Sequence, residues 1–138
     1  MEARTLVLSN VGRFERLEVL LAPTEDITGK VTVFIGNNGA GKTTVLKALA
    51  TSLSWFVARL RTDKGNGSPI PEGEVLNGQA SARIILNLSA KADNEEGTKE
   101  NVSHTLYQWE LSRTVKGKKA TFTSNLHDTS KLAEIYKK

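Results

Sequence analysis

The sequence predicts an α/β fold organised around a glycine-rich turn between a strand and a helix, and three observations predict it. Val31-Thr32-Val33-Phe34-Ile35 is a β-branched, largely apolar run, as expected of a strand buried on both faces. Directly after it, Gly36-Asn37-Asn38-Gly39-Ala40-Gly41-Lys42-Thr43 places three glycines within eight residues. Beyond that turn Leu46, Leu49, Leu53, Phe56 and Leu60 recur at steps of three and four, one apolar stripe of a helix.

The remaining elements follow in chain order. Leu6 and Leu8 alternate with polar or smaller residues, Asn10-Val11-Gly12-Arg13 interrupts, and Leu17, Val19 and Leu21 resume on one face. This predicts two strands with a short connection. Pro23 to Lys30 is rich in turn formers. The helix after the glycines fades near Thr62, where Asp63-Lys64-Gly65-Asn66-Gly67-Ser68-Pro69 breaks it. Alternating Ala82, Ile84, Leu86 and Leu88 predict a strand over Ser81 to Ser89, and Lys91 to Asn101 reads as a polar, mobile connection. Tyr107, Trp109, Leu111 and Val115 alternate again. Lys116-Gly117-Lys118-Lys119 predicts a hairpin turn, with a returning strand over Ala120 to Ser124. Asp128, Thr129 or Ser130 is positioned to cap a final helix carrying Leu132, Ile135 and Tyr136.

Composition narrows the function. The chain of 138 residues is long enough for one domain with a core, and its charge of +4 permits a polyanionic partner without requiring one. It has no cysteine, which excludes disulfides, thiolate metal sites and cysteine nucleophiles. His104 and His127 stand far apart without ligand companions, so the sequence argues against zinc. No apolar run has the length of a membrane span, and the N-terminus lacks a signal core, so a cytoplasmic protein is expected.

The eight residues from Gly36 to Thr43 satisfy G-x-x-x-x-G-K-[ST], the Walker A pattern. Four fixed positions arise by chance in about one chain in two hundred of this length. The pattern also has its confirming context, a strand before it and an amphipathic helix after it. Glycines let the backbone curl so that successive N–H groups of Asn37, Asn38, Gly39, Ala40 and Gly41 point inward at phosphate oxygens. The helix beginning near Lys42 adds its positive dipole end. Lys42, the candidate catalytic residue, is expected to reach the β- and γ-phosphates of ATP, Thr43 to ligate Mg²⁺ through its hydroxyl, and Thr44 to touch the α-phosphate.

Other equipment of such hydrolases is not legible. A second buried strand ending in Asp, or Asp-Glu, is expected to hold Mg²⁺ through water. Ile84-Ile85-Leu86 runs into Asn87, and Val19 to Ala22 leads toward Glu25 and Asp26 only across Pro23. Gln79 and Gln108 are available as nucleotide-sensing glutamines, and neither is assigned. Trp55 and Trp109 are candidate base-stacking platforms, although their positions favour core packing. Arg59, Arg61 and Lys64, with Lys116, Lys118 and Lys119, form two basic clusters that suit DNA phosphates or simple solvation.

Three stretches in order resemble the ABC-type ATPase heads of the chromosome-maintenance and RecF class. They are Leu6 to Phe14, Val33 to Leu49 with Asn-Gly-x-Gly-Lys-Thr-Thr, and the pair Ser81 to Ser89 and Tyr107 to Asn125. Leu53 to Arg61 is most similar to the ATPase component of Septu-type anti-phage defence systems, some of which accompany retrons. The resemblance implies that residues 1–138 form the first lobe of a longer ATPase head, with mixed and antiparallel strands around the P-loop strand and helix. It implies ATP and Mg²⁺ as cofactors, head-to-head self-association, an HNH-type nuclease partner and contact with DNA or retron nucleic acid. It also implies that Arg13, just after the first strand, leans toward the nucleotide; a surface arginine on a turn is the plain alternative. The expectation for these residues alone is weak nucleotide binding without turnover. The rival readings are an ATP-switched, non-catalytic scaffold, a DNA-repair ATPase head, and a chain without an independent stable fold.

Overall fold

A computed structural model describes residues 1–24, 29, 31–36, 41–91 and 104–137. Four strands form one sheet: β1 (Glu2–Val11), β2 (Phe14–Leu20), β3 (Ser81–Lys91) and β4 (His104–Thr114), in the order β2-β1-β3-β4. Every pairing is antiparallel. Two helices accompany it, α1 (Lys42–Arg61) and α2 (His127–Tyr136), with a 3-10 turn at Glu72–Glu74.

The period-two pattern of the strands decides which face is buried. The register sets Leu6 against Leu86 and Leu86 against Trp109, and likewise Leu8, Ile84 and Leu111, so these side chains share one face. All six are buried, and they form one core with Val45, Ala48 and Phe56 of α1 and Leu132 and Ala133 of α2. Trp109 anchors the layers. It is 1% exposed, its ring stacks on Phe56 with centroids 6.4 Å apart, and its indole N–H donates to both the carbonyl and the hydroxyl of Ser52. The opposite face is polar; Arg83 there pairs with Glu110 at 3.5 Å and lies over the Phe122 ring.

The short connection expected around Asn10 to Arg13 is present and is only two residues long, Gly12 and Arg13. Val11 pairs with Phe14, and Gly12 sits at φ +60. A positive φ at the first central residue alone is the arrangement of a type II′ hairpin turn, which glycine adopts at little cost. The turn at Lys116 to Lys119 is also present, with Gly117 at φ +83 and the Lys118 amide donating to the Val115 carbonyl.

Several expectations need correction. Residues 31–36 form no strand, and Val31, Val33 and Ile35 are 78%, 71% and 91% exposed. A doubly buried strand needs partners on both edges, and no described segment makes a ladder with this one. Phe34 packs against the core, and the Thr32 hydroxyl accepts the Ala22 amide. The expected P-loop strand is therefore not part of the described sheet, while the α/β class holds and the four described strands are antiparallel, as the expectation of mixed or antiparallel strands allows. The returning strand over Ala120 to Ser124 reduces to one bridge between Glu110 and Asn125.

The helix stripe is rotated as well. Of the expected stripe Phe56 is buried and Leu49, Leu53 and Leu60 pack against the core, but Val45, Ala48 and Ser52 complete the fully buried side and Leu46 is 51% exposed. Leucine content misled the periodicity because Trp109 demands a small polar neighbour, Ser52, on the true inner face. α2 has Leu126 at its N-cap and no side-chain cap. Asp128 instead accepts the amide of Gln108, and Thr129 donates to the Leu126 carbonyl. The polar connection expected after Lys91 falls on residues 92–103, outside the described residues, and Lys91 itself ends β3.

Candidate functional site

The site grows from the start of α1. Strong helix formers, Leu46, Lys47, Ala48, Leu49 and Ala50, sustain the helix once begun. Its N-cap is Gly41 at φ +92, in the left-handed region, with no side-chain cap and no acidic residue in the first turn. Among the described residues no side-chain cap or first-turn acid occupies the opening amides, to which the helix dipole adds positive character. The first helical bond runs from the Val45 amide to the Gly41 carbonyl.

Gly41 is required twice over. A Cβ added there would meet the Phe14 ring at 2.3 Å and 2.6 Å, and the Arg13 side chain at 3.4 Å. Its φ would strain any L-residue as well. Gly12 stands in the same relation to the next turn of the site, since a Cβ on it would lie 2.7 Å from Thr44 Cγ2 and 3.0 Å from Thr44 Oγ1. The hairpin turn between β1 and β2 is thus pressed against the first turn of α1 at two glycines.

That turn is held from behind. The Gly12 amide donates to the Glu74 carbonyl at 2.6 Å, and the Leu76 amide to the Asn10 carbonyl at 2.8 Å. Asn10 donates its side-chain amide to the Ser81 carbonyl. Behind Thr44 lies a cavity of about 300 Å³ whose walls include Val11, Lys47, Ala48, Ile70 and Glu74.

The structure brings Gly41, Lys42, Thr43, Thr44 and Arg13 to one end of α1. Thr43 is exposed and Lys42 half-buried. Asn37, Asn38, Gly39 and Ala40 lie outside the described residues, as do Glu25 and Asp26. Among the described residues no group of three acidic or imidazole side chains gathers to hold a metal. Sequence reasoning missed Phe14 and Glu74. The alternation of β2 marks Phe14 as a packing residue, but nothing in the pattern shows that its partner is Gly41, far along the chain.

Other candidates resolve into packing. Trp109 is core. Trp55 packs beside the core and donates its indole N–H to the Ser68 carbonyl. Arg59 does not stand free for DNA: it donates to the carbonyls of Gly65 and Leu126 and to the hydroxyls of Thr129 and Ser130. Gln108 is exposed and points outward from β4. Lys116, Lys118 and Lys119 are exposed around the hairpin turn. No described helix is long and apolar enough to cross a membrane.

Comparison with known proteins gives three results. A family model described as an AAA domain matches residues 5–137. The chain is similar to the Retron Ec83 probable ATPase of Escherichia coli, 41% identical over 56 residues, which is 41% of this chain and 10% of that protein. It is also similar to the Retron Vc95 probable ATPase of Vibrio cholerae serotype O1 biovar El Tor, 27% identical over 111 residues, 78% of this chain and 19% of that protein. The matched stretches thus span 10% and 19% of these relatives' length. Among solved structures, one from work on the ATP-driven dimerization and DNA stimulated activation of SMC ATPases aligns with 98% of this chain and 77% of its own, at 15% identity and a TM-score of 0.49.

Proposed function

This chain belongs to the AAA domain family, and from that premise we propose that it forms the phosphate-binding part of an ATPase, taking ATP with Mg²⁺ at the N-terminus of α1. The observation that carries the reading is Gly41. It is the last glycine of a complete Walker A pattern, in a left-handed conformation, at the start of a twenty-residue helix that has no side-chain cap. Such an end is built for an external anion.

Gly41 suits the nucleotide because the Phe14 ring leaves no room for a Cβ there, so that backbone rather than a side chain stands at the start of α1. Amides of Asn37 to Gly41 would line the phosphates, with Lys42 directing its ammonium at the β- and γ-oxygens and Thr44 facing the α-phosphate. Arg13 would supply a second positive charge from the β1–β2 turn. The cavity behind Thr44, walled in part by Val11, Ala48 and Ile70, would be the place for the nucleoside. Mg²⁺, when bound, neutralises charge developing on the transferred phosphoryl group; Thr43 is the hydroxyl here suited to hold it. A further carboxylate for the metal and an acid to orient water would come from another part of a longer polypeptide or from a second copy meeting it head to head.

The two retron relatives support a role in anti-phage defence, as the ATPase component of a retron or Septu-like system. There an HNH-type nuclease and DNA would be its partners. Titration with a fluorescent ATP analogue and Mg²⁺ tests the core of this reading. Saturable binding that Lys42→Ala abolishes is expected, and binding indifferent to Lys42→Ala would sink it. A switch role, in which ATP locks an assembly without turnover, would show as function that depends on Lys42 while no phosphate is released.

A further inference from the structure

We infer that Phe14 is a positioning residue for the phosphate loop, acting as a brace that fixes Gly41, and with it the start of α1, against the antiparallel sheet. The inference rests on the nucleotide-site reading above and adds to it a residue outside the Walker A pattern.

The geometry has three parts. The ring of Phe14 lies so close to Gly41 that a single added carbon would fall 2.3 Å from Cζ and 2.6 Å from Cε2. Gly41 is the hinge at which the loop becomes helix, and its φ of +92 belongs to a region that a flexible glycine leaves readily. A ring packed against it removes that freedom from one side. The brace itself is anchored independently of the loop. Phe14 is paired to Val11 across the hairpin and packs against the core, and the turn before it is bonded to the Glu74 carbonyl through Gly12 and to the Leu76 amide through Asn10. Gly12 then meets Thr44 one turn into the helix. Two contacts, one at Gly41 and one at Thr44, fix the position and direction of the start of α1 and so of its own opening amides. Displacement of such groups by an ångström is enough to cost a large part of their effect.

The test compares Mg²⁺-dependent binding of a fluorescent ATP analogue in the intact protein and in Phe14→Ala, Phe14→Leu and Phe14→Tyr, with circular dichroism to establish folding. Expected are a loss of about tenfold or more in affinity for Phe14→Ala, partial recovery in Phe14→Leu, and affinity within about threefold of the parent in Phe14→Tyr, which keeps the ring. Should Phe14→Ala fail to fold, Phe14→Leu carries the comparison. Gly41→Ala adds a second readout. In the parent it carries both the φ strain and the collision with the ring, and in Phe14→Ala only the strain. Its penalty in binding is therefore expected to be smaller in the Phe14→Ala background. Folded Phe14 variants that bind as the parent does, or a Gly41→Ala penalty equal in the two backgrounds, overturn the brace while leaving the nucleotide site standing, provided Lys42→Ala still abolishes binding. A parent protein without saturable binding overturns both.

Discussion

The two ends of α1 are finished in opposite ways. At its C-terminal end the chain satisfies itself. Arg59 donates to two carbonyls and two hydroxyls drawn from the following loop and from the start of α2, and the Thr62 amide closes on the Ala58 carbonyl. Basic residues there also match the negative end of the dipole. At its N-terminal end there is no side-chain cap, no acid, and a lysine where the dipole disfavours one. A helix optimised for stability alone would reverse that choice. On the proposed reading, the difference separates residues that hold the fold from residues that would take a ligand, and each can be disturbed without the other.

The largest expected effect comes from the middle of the helix, to which both ends are tied. Trp109→Ala removes a fully buried ring, its stack on Phe56 and both hydrogen bonds to Ser52. It is expected to lower unfolding free energy by about 3–5 kcal/mol, read from denaturant midpoints, and to carry nucleotide binding down with it. Next comes the satisfied end. Arg59→Ala strips a charged donor from four partly buried acceptors, and is expected to cost about 2 kcal/mol with the affinity of the folded fraction unchanged. Arg59→Lys should recover little, because an ammonium cannot reproduce the guanidinium fork. A drop in affinity of the folded Arg59→Ala protein would erase the proposed separation between the two ends.

Lys42→Ala breaks the comparison from the other side. Removing a positive charge from the first turn is expected to leave the ligand-free protein as stable or to raise its stability by about 0.3 kcal/mol. The same change is expected to abolish nucleotide binding. Thermal melts with and without Mg²⁺ and ATP check both halves: the parent should be stabilised by ligand, and Lys42→Ala should melt at the same temperature in either condition.

The open end was more legible in the sequence than the closed one. Gly41, Lys42, Thr43 and Thr44 are neighbours, and phosphate chemistry imposes a spacing on neighbours. The strands β1, β3 and β4 were readable because one face of each meets the core and period two records it. The Arg59 latch is not readable, since its partners are 6 to 71 residues away and half of them are backbone carbonyls that any sequence would supply. The same applies to Phe14 against Gly41. Val31 to Ile35 misled for a different reason. Apolar character on both faces reports what a segment is able to bury, and burial also needs neighbours that no described residue provides. Leu46 misleads because it lies on the edge of the leucine stripe, while Val45, Ala48 and Phe56 extend the apolar surface to the side that meets Trp109.

The smallest expected effect concerns the outer rim of the closed end. Lys137, at the end of α2, donates to Asp63, just past α1, and this hydrogen bond, with the ammonium's charge, holds the Asp63 carboxyl below the usual carboxylate value of 3.8. A depressed acid favours the native state only while ionised. Its contribution is thus fully present above the unfolded value and disappears as pH falls through the lower, folded one. Asp63 is exposed, so water and salt screen the pair, and its effect on stability is expected to be slight. Asp63→Asn should melt close to the parent at neutral pH and low salt, with the difference between them shrinking to nothing as pH is lowered below 3.8 or as salt is raised. A gap that persists in acid or in high salt would mean that residue 63 acts through the geometry of the loop after α1 rather than through its charge.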